Sequence, residues 1–333
     1  MMNRFCEIEH MPSCDAMHCG TGVQTTVLLE LAPASNTKFP TFRSGPFSER
    51  LLEDCGLPPV TKTLRVGDAV HRALIRKAAR GRRVDCPELT GQNRLGHPLV
   101  GPHRHAHVLP VDFDRDGYID HIVIHTDMGL SQLTLRAIHS LRTLYGAHGQ
   151  PWLRLRVAWE AKHIVSKHQL APDAHVPNIA EYNQFHNAEP GDPRRADQND
   201  LRVVNHQEDA ESGIFVERFL RLNSCTGAQT WVSLTPFVAP RYVKRSGKNT
   251  LEGQVRAELA SRGFPAAEIE VLPTAAQLFS EYILSRNADH SPPPQSYGHA
   301  IRLHFPQPVS GPIILGYACH YGLGLFQVEF GMV

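Results

Sequence analysis

Near its start the chain lacks any apolar stretch resembling a signal or an anchor. The longest run there, Val27–Leu29, falls far short of the ~20 residues a helix needs to cross a bilayer. It also lacks an excess of either charge: 34 Lys and Arg stand against 33 Asp and Glu, a net +1. An anionic partner must therefore be held by a local patch, not by the field of the whole molecule. Its seven cysteines (Cys6, Cys14, Cys19, Cys55, Cys86, Cys225 and Cys319) follow no framework spacing. That excludes a disulfide scaffold and fits a reducing compartment. Composition is not depleted of apolar residues either, with 41% hydrophobic and 20% charged, so disorder is excluded for the bulk of the chain. These absences together predict a globular, cytoplasmic, non-membrane protein, long enough for two domains. What the chain has in abundance is histidine, 20 residues that titrate near pH ~6.5.

Hydrophobic periodicity orders the first half. "VQTTVLLELA" (Val23–Ala32) reads as a strand. In "RVGDAVHRALIRKAAR", Val66, Val70, Ala73, Leu74 and Ala78 form one helical stripe, with Arg and Lys opposite. "HAHVLPVDF" and "GYIDHIVIHT" are strands joined by an Asp/Gly turn. "SQLTLRAIHSLRTLYG" predicts a helix capped by Ser131, with Ile138, Leu141 and Tyr145 inward and Gly146 closing it. "WLRLRVAWE" (Trp152–Glu160) alternates as a strand. The order is βαββαβ, a ferredoxin-like arrangement.

Residues 161–225 are mostly polar and read as an insertion or linker, and residues 1–20 as an N-terminal extension. The second half, 226–333, offers the strand "TWVSLTPFV" and a helix from Thr250 with Leu251, Val255 and Leu259 buried and Gly263 as its stop. Strands "EIEVLP", "YGHAIRLHF" and "GLGLFQVEF" follow; "TAAQLFSEYILSR" (Thr274–Arg286) has a helical pattern. The fold class expected is α+β, with two ferredoxin-like (βαββαβ, RRM/RAMP-type) domains in tandem, at 21–160 and 226–333, the second irregular.

The chemistry-bearing residues cluster in "GPHRHAHVLPVDFDRDGYIDHIVIHT" (Gly101–Thr126). His103, His105 and His107 are two apart, so on a strand they share a face. Three readings stay open: a metal site, an acid–base centre for phosphodiester cleavage, and hydrogen-bonded structural histidines. "DFDRDGYID" opens like a calcium loop, with Asp112, Asp114, Asp116 and Asp120 around Gly117, but its twelfth position is Val123 where such a loop carries Glu. A tight turn between strands explains the same residues. "CEIEHMPSCDAMHC", with His10 and His18 among its cysteines, matches no paired zinc-ligand spacing, and no metal or other cofactor is expected.

Two further segments suit an anionic polymer. "PRYVKRSGK" gathers Arg241, Lys244, Arg245 and Lys248 around Tyr242, a combination for phosphate contact with base stacking. Arg154 and Arg156 on one strand face extend the candidate patch. In "HYGLGLF", Gly322 and Gly324 follow His320 and Tyr321, and glycines there allow close backbone approach.

"HRHAHVLPVDFDRDGYIDHIVI", "WVSLTPFVAPRY" with its "QVRAEL" helix, and "HYGLGLF" occur in the order seen in one family. Over about Leu64 to Phe326, outside the polar insertion, the chain resembles the fused Cas five/Cas six-type subunit of type I-G (formerly I-U) CRISPR systems. That subunit belongs to the RAMP superfamily of RNA-binding ferredoxin-like proteins. The resemblance implies a crRNA-processing endoribonuclease acting without metal on CRISPR repeat RNA. A ribose 2′-hydroxyl attacks the adjacent phosphate, leaving a 2′,3′-cyclic phosphate and a 5′-hydroxyl. It implies a catalytic base among His103, His105 and His107, and RNA contact by a glycine loop at Gly322 and Gly324. Arg104, Lys244 or Arg245 would offset charge at the phosphate. Partners implied are the repeat RNA and other Cas subunits of a type I effector complex. Two alternatives stand beside it: a non-catalytic crRNA-binding subunit, and a metal-dependent hydrolase built on the three histidines.

Overall fold

The computed structural model describes residues 22–34, 56–79, 86–93, 95–99, 105–146, 149–165, 216, 219–221, 227–273, 277–286 and 292–329. These form a mixed α+β structure with two antiparallel sheets. In the first half the elements are β1 (Gly22–Pro33), α1 (Thr63–Ala79), a short α2 (Pro87–Thr90), β2 (His107–Val111), β3 (His121–Thr126), α3 (Gln132–Ser140), β4 (Thr143–Tyr145) and β5 (Pro151–Val165). The sheet order is β2-β3-β1-β5-β4. The second half contributes β6 (Ala228–Ser233), α4 (Leu251–Ser261), β7 (Glu268–Val271), β8 (Ile301–Val309) and β9 (Phe326–Val328), ordered β7-β8-β6-β9. In both sheets the first strand lies between the third and the last, and the second strand takes an edge. No helix among the described residues is long and apolar enough to cross a membrane.

The apolar run of β1 has a simple cause: the strand is central and covered on both faces. Val27, Leu29 and Leu31 join Val66, Val70 and Leu74 of α1 and Leu135 and Ile138 of α3 in one core. Leu28, on the other face, packs with Leu109, Val111 and Val123, and with Ile314, Cys319 and Leu325 from the second half. The two halves are therefore joined through apolar packing. A separate core under α4 holds Trp231, Phe237, Val255, Leu259, Leu303, Phe305 and Phe326.

Four sequence expectations need correction. The helix starting at Ser131, whose side chain accepts from Thr134 N, stops at Ser140. Residues 143–145 instead pair with β5, leaving Leu141 buried and Tyr145 63% exposed. Pairing with β5 gives that backbone partners in place of another helical turn. Residues expected as a helix at 274–286 contain only a 3-10 turn at Gln277–Phe279 among those described. The segment then crosses to the first half, where Ile283 N donates to Thr61 O (2.9 Å) and Arg286 pairs with Asp68 (2.5 Å). β5 continues past Glu160 to Val165 by pairing with the start of β1. Within the expected linker, Val216 and Leu220 are fully buried against Leu28 and Leu109, because apolar side chains there complete the shared core.

Between β8 and β9 stands no helix but a tight segment with a 3-10 turn at Cys319–Tyr321. It docks on a second buried stripe of α1, made by Thr63, Gly67 and His71, spaced four apart on one helix face. A Cβ on Gly67 would lie 2.6 Å from the Tyr321 carbonyl oxygen. A Cβ on Gly322, at φ +93°, would lie 2.6 Å from Thr63 Cγ2. Beside them Asp68, 1% exposed, is held by Arg286 and lies 3.1 Å from Arg72. The Arg286 guanidinium also sits 4.3 Å over the Tyr321 ring.

In an ordinary helix interior, glycine to alanine gains about 1 kcal/mol. Here Gly67→Ala reverses that sign, because the added methyl meets backbone that cannot move aside. Urea denaturation should show a lower midpoint than wild type; a higher one contradicts the docking.

Candidate functional site

The docked turn carries His320 to the beginning of β2. Its ring stacks on His105 at 3.5 Å between centroids and on His107 at 4.3 Å, with planes within 16° and 19° of parallel. The i, i+2 spacing of His105 and His107 puts both on the side where the turn arrives. His320 Nδ1 approaches Ala106 O at 3.3 Å, while Ala106 N donates to Glu88 O of α2. His105 rests on Gly91, the left-handed residue ending α2; a Cβ there would lie 2.9 Å from His105 Nδ1.

The three rings differ in access. His105 and His320 are half-buried, whereas His107 is 7% exposed. Neither ring nitrogen of His107 has a hydrogen-bond partner. Burial holds its pKa well below the usual value, helped by His320 and by its cross-strand neighbour His125. His107 is therefore a neutral imidazole at neutral pH, and His105, just before β2, is the more exposed ring of the two.

Cys319 is buried beneath the turn, with Arg262 Nη2 3.6 Å from its Sγ. Burial pushes the thiol up to about 11, so it is protonated at neutral pH and not a nucleophile. Arg262 is also paired with Glu258 (2.9 Å), whose carboxylate accepts from Gly316 N (2.8 Å). The end of α4 is thus fastened to the turn.

At the opposite end of α4 lies the basic loop, on the order of 16 Å away along an eleven-residue helix. Arg241, Lys244, Arg245 and Lys248 are exposed, and Tyr242 is 73% exposed. Gln254, 1% exposed, orders the loop. Its Oε1 accepts from Arg241 N (2.9 Å), and its Nε2 donates to Arg241 O (3.2 Å) and Asn249 O (3.1 Å). Sequence reading missed Gln254; a polar residue beside Val255 on the buried face was the available signal.

Other expected site residues have different surroundings. Gly322 and Gly324 are buried, and a Cβ on Gly324 would lie 1.8 Å from Leu315 O. Their missing side chains make room for Thr63 and Pro110 at Gly322 and for the Leu315 backbone at Gly324, so both glycines lie at internal packing contacts where an exposed RNA-contacting loop was expected. Tyr321 packs edge-on to His71 and under Arg286, so its ring takes part in the junction between the halves. Arg156 pairs across strands with the buried Glu30, while Arg154 is half-buried on the same strand. Both belong to the first sheet and the basic loop to the second half. His103 and Arg104 lie outside the described residues, as do Cys6, His10, Cys14, His18 and Cys19.

The aspartates bond to the turn itself. Asp112 accepts from the backbone N–H of Arg115 (2.7 Å), Asp116 (3.2 Å) and Gly117 (2.8 Å), and Asp116 accepts from Tyr118 N (2.9 Å). Asp120 accepts from Phe113 N (3.0 Å). Burial raises the Asp112 carboxyl to about 7. Position twelve, Val123, is fully buried in β3.

No protein-family model and no curated protein matches the chain.

His107 ties stability to pH. Its folded pKa is depressed, so below about pH 6.5 the unfolded chain binds the proton that the folded chain refuses. Its contribution is full above that pH and is lost as pH falls. His71 and His299, also lowered by burial, act in the same direction. In His107→Phe the acid-side slope of unfolding free energy should shrink by up to about 1.4 kcal/mol per pH unit. An unchanged slope would mean that His107 is not held neutral.

Proposed function

We propose that the protein binds and cleaves CRISPR repeat RNA as a RAMP-type processing endoribonuclease. The observation that carries this reading is the meeting of His105 from the first half with His320 from the second. Imidazoles that separate segments of the chain bring into one half-exposed stack are suited to proton transfer near neutral pH. Each sheet sets its first strand between its third and last, the order of a ferredoxin-like βαββαβ unit, which supports the RAMP assignment. In the second unit the segment 310–325 takes the place of the second helix.

In the proposed reaction His105 takes the proton from a ribose 2′-hydroxyl. The 2′-oxygen bonds to phosphorus, the bond to the 5′-oxygen breaks, that oxygen takes up a proton from water, and His105 returns its proton to solvent. The products are a 2′,3′-cyclic phosphate and a 5′-hydroxyl. His320 stacks on His105 and fixes its ring, a positioning role. The basic loop, at the far end of α4, holds phosphates several nucleotides from the scissile one, with Tyr242 available for stacking. A hairpin substrate suits such recognition, since shape and phosphate contacts dominate.

Cleavage of a labelled repeat RNA in EDTA tests the reading. Wild type should cut and leave a cyclic phosphate; binding without cutting would favour a non-catalytic crRNA-holding subunit. His105→Ala should slow cutting by about 100-fold or more with affinity nearly unchanged. If His105→Ala cuts normally, the assigned base is wrong.

Lys244→Ala should weaken binding and lower the slope of log affinity against log salt by about 0.7, one phosphate contact to single-stranded RNA. An unaltered slope would remove the loop from the interface.

A further inference from the structure

We infer that His107, Cys319 and His320 form a zinc site that ties the C-terminal turn to the first sheet. One donor atom from each lies within 4.8 Å of the other two. The decisive observation is His107: it is buried, both its nitrogens lack hydrogen-bond partners, and one of them belongs to this group. A buried polar ring with no partner costs free energy that a bound ligand would recover. Two imidazoles and a thiolate are a donor set for zinc, and they exclude calcium or magnesium, which require oxygen ligands. This set differs from the run of His103, His105 and His107, because it draws on both halves of the chain.

The geometry needs one adjustment. Zinc in a tetrahedral site holds N and S donors about 3.3–3.7 Å apart, with imidazole lone pairs pointing at the metal in the ring plane. The His320 ring lies nearly parallel to His107, so it must turn about its Cβ–Cγ bond, leaving its 3.3 Å contact with Ala106 O. Binding is accompanied by loss of the Cys319 thiol proton to solvent as the zinc–sulfur bond forms. Arg262, beside that sulfur, favours the thiolate, and its own charge is paired with Glu258. Water completes the fourth position. Turning His320 also removes it from His105, so zinc should slow RNA cleavage. That last clause rests on the proposed function; the metal site does not.

The experiment uses the full chain, stripped with EDTA, given zinc chloride and dialysed, with metal measured by plasma mass spectrometry. Wild type should retain stoichiometric zinc. His320→Ala, at a half-exposed position and checked for folding by circular dichroism, should retain only background. Because Cys319→Ser is buried and is the riskier variant, cobalt(II) added to wild type supplies a second readout. A thiolate-to-cobalt charge-transfer band should appear in wild type and vanish in His320→Ala. A variant with Cys6, Cys14 and Cys19 changed to serine should keep its zinc. Folded wild type without zinc or the cobalt band overturns the proposal. So does zinc that persists in His320→Ala and disappears with the N-terminal cysteines. Failure of RNA cleavage in EDTA leaves these metal measurements untouched, so the two readings fall separately.

Discussion

The arrangement of the molecule depends on how closely the Cys319–Leu325 turn approaches α1 and β2. That approach is possible only where side chains are missing. Gly67 lets the Tyr321 carbonyl reach the helix, Gly322 fits against Thr63 and Pro110, and Gly324 lies on the Leu315 carbonyl. Around this close contact, apolar packing of Leu28, Leu109 and Val123 against Ile314 and Leu325 removes the outer face of the first sheet from water. The pairing of Arg286 with buried Asp68 satisfies a carboxylate that the contact encloses. Without the turn, His320 would not meet His105, and the first sheet would expose an apolar face.

One helix couples the basic loop to the histidine stack. α4 is fastened at its end through Glu258 and Arg262 to Gly316 and Cys319, and near its start Gln254 orders the basic loop. The length of this helix sets the distance between the exposed basic loop and the histidine stack. Although the net charge of the chain is near zero, Arg241, Lys244, Arg245 and Lys248 concentrate positive charge in one short exposed loop.

Much of the framework was legible from periodicity. The strand at Val23–Ala32, the α1 stripe, the Asp-rich turn with its flanking strands and the Thr250-capped helix all follow from local pattern and capping chemistry. Less legible was anything decided by a distant partner. The helical pattern of Thr274–Arg286 gives way to a crossing held by Ile283 and Arg286. The predicted helix that begins at Ser131 ends early, because the next residues have β5 to pair with. Gln254 and Gly67 looked ordinary on their helices, since the groups they serve lie elsewhere in the chain.

By itself the sequence determined the α+β class of the fold and the candidate residues: the histidine run, the basic loop and the glycines near the end. It did so because strand alternation, helix stripes and turn residues are short-range properties. Only the tertiary structure decided which histidines come together and which of them meets solvent. His107 and His105 are equivalent by spacing, yet one is sealed under the turn and the other stands at its edge. The tertiary structure likewise turned Gly322 and Gly324 from a presumed RNA-facing loop into a packing surface. The His320 and Gly322 contacts join residues more than two hundred positions apart, which no local pattern encodes.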